Sequence, residues 1–95
     1  MINYKHVIKV VEKTFKKYYD QKEYSLCNIG LCPNSISYII IDNTDRSVLV
    51  EFYVSNDRIF EAKSHGNLLA LKHEITTWYS FFTDVNKFLE IKYEL

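Results

Sequence analysis

The nearest approach to a catalytic motif in the chain is His73-Glu74-Ile75-Thr76-Thr77. It begins as the helical zinc-protease signature does. That signature needs a second His one turn later, so that two imidazoles ligate one metal from the same helix face. Thr77 stands there instead, so the match fails and the segment reads as a solvated helix face. Cys27 and Cys32, with His65 and His73, are the other residues of zinc-ligand type. Their Cys-x4-Cys spacing is loose, and no second tight pair follows to close a tetrahedral site. A cysteine nucleophile needs an adjacent base. His6, His65 and His73 are the only imidazoles, and nothing in their spacing pairs one with Cys27 or with Cys32, which precedes Pro33 at an expected strand end. A phosphate-binding loop needs clustered glycines, whereas the two glycines, Gly30 and Gly66, lie far apart. The expectation is a protein that is not an enzyme, with no catalytic residue, no metal site and no cofactor.

Charge is more informative. The net charge is zero, but it is unevenly placed: residues 1–22 carry six Lys against Glu12 and Asp20. Residues 23–62 carry Arg46 and Arg58 against Glu23, Asp42, Asp45, Glu51, Asp57 and Glu61. Opposite charge steers encounter, and tyrosines make good interface anchors. The candidate partner-binding residues are therefore Asp42, Asp45, Glu51, Tyr53, Asp57 and Glu61, facing another, basic, protein. The bland alternative is that acids at turns and edges keep a small sheet soluble. The competing partner is nucleic acid, met by Lys9, Lys13 and Lys16 beside Tyr4 or Tyr18. A neutral chain makes that the weaker reading.

These residues need elements to hold them. Tyr4, Val7, Ile8, Val11, Phe15, Tyr18 and Tyr19 recur at helical spacing, with Asn3 as N-cap and the pattern fading at Asp20-Gln21-Lys22. Lys5, Lys9, Lys13, Lys16 and Lys17 fall on the opposite face. Runs from Ser35 to Ile41, Ser47 to Val54 and Arg58 to Lys63, separated by Asp42-Asn43-Thr44-Asp45 and Ser55-Asn56-Asp57, predict an antiparallel meander. Tyr24 to Leu31 adds a fourth strand, ended by Cys32-Pro33-Asn34. In the second of these runs, alternation places Val48, Val50, Phe52 and Val54 on one face and Ser47, Leu49, Glu51 and Tyr53 on the other. Consecutive turns of a meander fall at opposite ends, but Glu51, Tyr53 and Glu61 can share a face. A free edge at residues 24–31 or 58–63 can pair with a second copy or with a foreign strand.

After the turn Ser64-His65-Gly66-Asn67, the stripe Leu68, Leu71, Ile75, Trp78 and Phe82 predicts a second helix. The stripe continues through Val85 and Leu89, yet Leu89 to Leu95 also alternates as a strand does. Thr83-Asp84 is the expected break, giving a helix to about Phe82, a further turn and an extended end. The fold class is thus α+β: an N-terminal helix, a three- to four-stranded antiparallel meander, and a C-terminal helix with a final strand as an option. Ninety-five residues make one such domain, residues 1–95. Met1-Ile2-Asn3-Tyr4-Lys5 lacks the apolar core and cleavage site of a signal peptide, and no apolar run is long enough to span a bilayer. A cytoplasmic protein with reduced thiols and no membrane contact is expected.

In length, helix–meander–helix order, aromatic richness and lack of a catalytic motif, the chain resembles the small bacterial immunity and inhibitor proteins. The acids from Asp42 to Glu61 suit that style. The resemblance implies a non-enzymatic inhibitor that neutralises a bacterial toxin or nuclease by covering its functional surface. Phage-encoded inhibitors of bacterial defence share the style. The zero net charge departs from the acidic balance of many nuclease inhibitors.

Overall fold

A helix needs its first N–H groups satisfied before its apolar stripe can pack. The Asn3 side chain does this for α1 (Tyr4–Tyr18), accepting from the His6 N–H at 3.2 Å. The Asn3 N–H in turn donates to Asn56 Oδ1 at 2.6 Å, which ties this end of the helix to the turn around Asn56. Val7, Val11, Thr14 and Phe15 form the buried stripe, and the helix ends where Tyr19 turns extended. The computed structural model describes residues 2–65 and 72–90, except for the side chains of 72–75.

Four strands follow: β1 (Tyr24–Cys32), β2 (Ser35–Asp42), β3 (Ser47–Val54) and β4 (Ile59–Ser64). They pair antiparallel in the order β1-β2-β3-β4, so the sheet is a four-stranded meander. Helix α2 (Lys72–Glu90) completes the α+β fold. Both helices pack on one sheet face, burying Ile36, Tyr38, Ile40, Val50, Phe52 and Val54 beneath them. Among the described residues no helix is long and apolar enough to cross a membrane.

Three positions depart from simple alternation. Between Ile40↔Val50 and Ile41↔Val48, β3 has one extra residue, Leu49. Such a bulge turns two successive side chains toward the same side. Leu49 and Val50 are therefore both buried, which corrects the expected division of faces: Leu49 leaves the face of Glu51 and Tyr53, and Val48, opposite Ile41, leaves that of Val50. A second bulge inserts Ile29 between Asn28 and Gly30, and a third inserts Phe60 between Ile59 and Glu61. Both inserted residues are half exposed.

The second helix corrects the expected break at Thr83-Asp84, because it runs unbroken to Glu90. The hydroxyl of Thr83 donates back to the Tyr79 carbonyl at 2.7 Å, so it does not compete with the helix. Asp84 has partners on α1: Lys17 Nζ at 3.0 Å and the Tyr18 hydroxyl at 2.5 Å. Leu89 and Glu90 are helical, and the rest of the proposed final strand (91–95) lies outside the described residues, as do Leu68 and Leu71. The buried stripe is Trp78, Phe81, Val85 and Leu89, with Phe82 only partly covered. Phe81 lies edge-on to Phe15, Tyr18, Tyr19 and Phe52, so one ring joins both helices to the sheet.

Two measurements follow from this packing. Phe81→Ala should lower the unfolding free energy by about 3–5 kcal/mol, read by urea titration of the far-ultraviolet circular dichroism. The hydrogen bonds from Tyr18, then Lys17, hold the Asp84 carboxyl below its ordinary range. A lowered folded pKa adds stability above the unfolded value that is lost as pH falls through the folded one. Stability should therefore drop as pH falls below about 4, and Asp84→Asn should remove part of that slope.

Candidate functional site

Both described helices pack on one face of the meander, and among the described residues nothing covers the other. On that face the register brings together the row Cys27–Ile39–Glu51–Lys63 and the row Gly30–Ser37–Tyr53–Glu61, one residue from each strand in turn. Ile39, Ile41 and Val48 stay half-buried there without a helix above them. Phe60, displaced by its bulge, lies 6.2 Å from the Tyr53 ring, centroid to centroid.

Tyr53 is fixed from several directions. Its hydroxyl donates to the Glu51 carboxylate. Lys63 Nζ lies 5.8 Å from its ring centre, within cation–π range. Glu51 also faces His65 Nε2 at 3.7 Å and has Lys63 directly opposite on β4. The result is an aromatic pair set among Glu51, Glu61 and Lys63.

The six sequence-predicted site residues separate into three groups. Glu51, Tyr53 and Glu61 share the open face, with Tyr53 directly opposite Glu61. Asp42 and Asp45 lie in the β2–β3 turn at one end of the sheet, and Asp57 lies in the β3–β4 turn at the other. The first turn uses its acids locally. Asp42 Oδ1 accepts from the Thr44 N–H at 2.8 Å. Asp45 Oδ1 accepts from the Ser47 hydroxyl at 2.6 Å and from its N–H at 2.9 Å. Those two bonds, the hydroxyl's first, hold the Asp45 carboxyl below its ordinary range. They also brace Arg46, which adopts φ 60°, a conformation that costs a non-glycine residue energy.

Phe60, Lys63 and His65 complete the face and were absent from the sequence-derived set. Strand parity from Glu51 and Tyr53 points to Lys63, but Phe60 reaches the face only through a bulge that alternation does not reveal. The cysteines do not join His65. Cys27 and Cys32 are on β1, whereas His65 follows β4, three strand spacings or roughly 14 Å away. Zinc ligands sit about 2 Å from the metal, so this set does not close. Both cysteines are free thiols, Cys27 half-buried and Cys32 exposed. Cys27 also lies on the face turned away from α1, which carries His6. Among the described residues no three His, Cys, Asp or Glu side chains group as metal ligands do; the His73 side chain lies outside that description.

Comparison with protein-family models, with curated proteins and with solved structures finds no match to the chain. The division of the acids predicts a division of mutant effects. Asp45→Ala should lower the urea midpoint by loosening the β2–β3 turn. Glu51→Gln, on the solvated face, should change stability by no more than about 1 kcal/mol.

Proposed function

We propose that this chain is a non-catalytic protein-binding domain that inhibits a basic partner by covering the partner's functional surface with its open sheet face. The single observation that supports this most is the aromatic pair Tyr53 and Phe60, with the Tyr53 hydroxyl held by Glu51, on the sheet face opposite both described helices. An aromatic side chain already held in place loses little entropy on docking, and such residues dominate interface energies. Glu51 and Glu61 outnumber Lys63 on this face, which favours a basic partner surface over phosphates.

Size adds a constraint. Four strands at their usual spacing make a face of roughly 400 Å², about half of what each partner buries in a standard interface. A stable complex must therefore extend onto a hairpin end, and Asp42 and Asp45 at one end or Asp57 at the other supply acids for it. Neutralisation of a bacterial toxin or nuclease is the specific form of inhibition that the chain's size and style favour.

The test is capture of the partner from the source cell by the immobilised chain. The wild type should retain one stoichiometric protein and suppress its activity. Tyr53→Ala should weaken that complex by about thirtyfold or more, since a central aromatic contributes about 2 kcal/mol or more. Equal retention by the Tyr53→Ala/Phe60→Ala double variant would show that the partner docks elsewhere.

A further inference from the structure

The lysines of α1 are placed against the rules that stabilise a helix. Lys5 lies in the first turn, where the partial positive charge of the helix terminus favours an acid, and this turn has none. Lys5, Lys9, Lys13 and Lys16 follow one another at spacings of four, four and three residues. Those spacings set like charges side by side, which opposes helix formation. All four are exposed, and among the described residues none has a side-chain hydrogen-bond, ion-pair or ring partner. Lys17 differs, with Asp84 Oδ2 3.0 Å from its ammonium nitrogen. A local rule broken with no compensating contact is the mark expected of a functional surface.

The same four lysines line one hollow along the outer side of α1, together with Ile8 and Glu12. Four ammonium groups thus stand against one carboxylate, in a row that spans about 16 Å of helix. Glu51 and Glu61, which help to cancel these charges in the sum, lie on the opposite face of the sheet, beyond the core.

The lining selects the occupant. Lysine is depleted at protein–protein interfaces, and Ile8 is the only apolar side chain here, so an acidic protein finds little to anchor on. Single strands are held by stacking their bases on aromatic rings. This lining has no such ring, and the hydroxyls of Tyr4 and Tyr18 are engaged by the Cys32 carbonyl and by Asp84. A membrane-surface helix buries its apolar side in lipid, whereas Val7, Val11 and Phe15 are already buried in the core. A linear array of phosphates needs neither apolar nor aromatic help, only cations in a row.

We propose that the outer face of α1 is a docking surface for the phosphate backbone of duplex nucleic acid, met by Lys5, Lys9, Lys13 and Lys16. Contacts of this kind position a domain on a duplex and carry no sequence information. The surface lies on the side of the molecule away from Tyr53 and Phe60. The inference therefore goes beyond the binding function proposed above and stands or fails without it.

The test is fluorescence anisotropy of a labelled short duplex of mixed sequence, titrated with the full-length chain across a salt series. The duplex should bind at low salt, and log K should fall against log salt with a slope of about −3 to −4, since each phosphate contact contributes about −0.9. The variant Lys9→Ala/Lys13→Ala/Lys16→Ala, at exposed positions where Ala favours the helix, should reduce that slope to about −1. Tyr53→Ala/Phe60→Ala should change neither slope nor affinity. Lys5→Glu should weaken binding and yet raise the urea midpoint of the free chain, because it gives the first turn an acid and pairs with Lys9. Any one of five results overturns the proposal: no binding at low salt; an unchanged slope in the triple variant; loss of binding in the Tyr53→Ala/Phe60→Ala variant; polyglutamate, a single strand or anionic vesicles bound as tightly as the duplex; or a Lys5→Glu midpoint below that of the wild type.

Discussion

The packing of Phe81 determines what surface the molecule has left to use. Its ring is fully buried and lies edge-on to rings from α1 and to Phe52 in the middle of β3. Edge-to-face contacts add to the burial of aromatic area, which is already the largest apolar contribution a side chain makes. Because one ring contacts α1 and the sheet at once, the two helices lie side by side on the same sheet face. Among the described residues the opposite face has no helix, and both edges of the sheet lie at the rim of the helix layer. The surface proposed for binding follows from that arrangement.

Most of the architecture was legible in the sequence because it rests on local signals. Asn3 as N-cap, the α1 stripe and the two acidic turns each act within a few residues of themselves, and the structure has them in place. The departures come from distant contacts. Thr83-Asp84 reads as a break when taken alone, since Asp favours turns and caps. In the fold, Asp84 has Lys17 and Tyr18 as partners on the other helix, and the helix continues. The three bulges were hidden for a related reason. One extra residue in a strand leaves the composition unchanged and shows only when a neighbouring strand is paired against it. Leu49, Ile29 and Phe60 are the residues whose sides are set in this way.

The candidate site shows the same limit. Glu51 and Tyr53 share a face by alternation alone, and Glu61 joins them because β4 pairs with β3 in the register that places it opposite Tyr53. Asp42, Asp45 and Asp57 have the same charge and lie in the same stretch of chain, yet a meander sends its successive turns to opposite ends. Asp42 and Asp45 also have local uses for their carboxylates, which hold a turn that contains Arg46 in a left-handed conformation. Counting acids along the chain therefore overstated the patch, whereas strand parity located its centre.

The zero net charge now has a spatial meaning. The exposed lysines of α1 lie on the helix layer, and Glu51 and Glu61 lie on the far side of the sheet, with the whole core between them. Charges separated by more than a Debye length, about 8 Å at physiological salt, barely neutralise one another. Each side is thus met by an approaching molecule as a separate field, basic on one side and acidic on the other, although the sum is zero. A single strongly charged surface attracts any opposite charge from every direction. A neutral domain polarised across its thickness favours one orientation of approach for a given partner. That polarity supports the binding function proposed above even though the chain has no net charge.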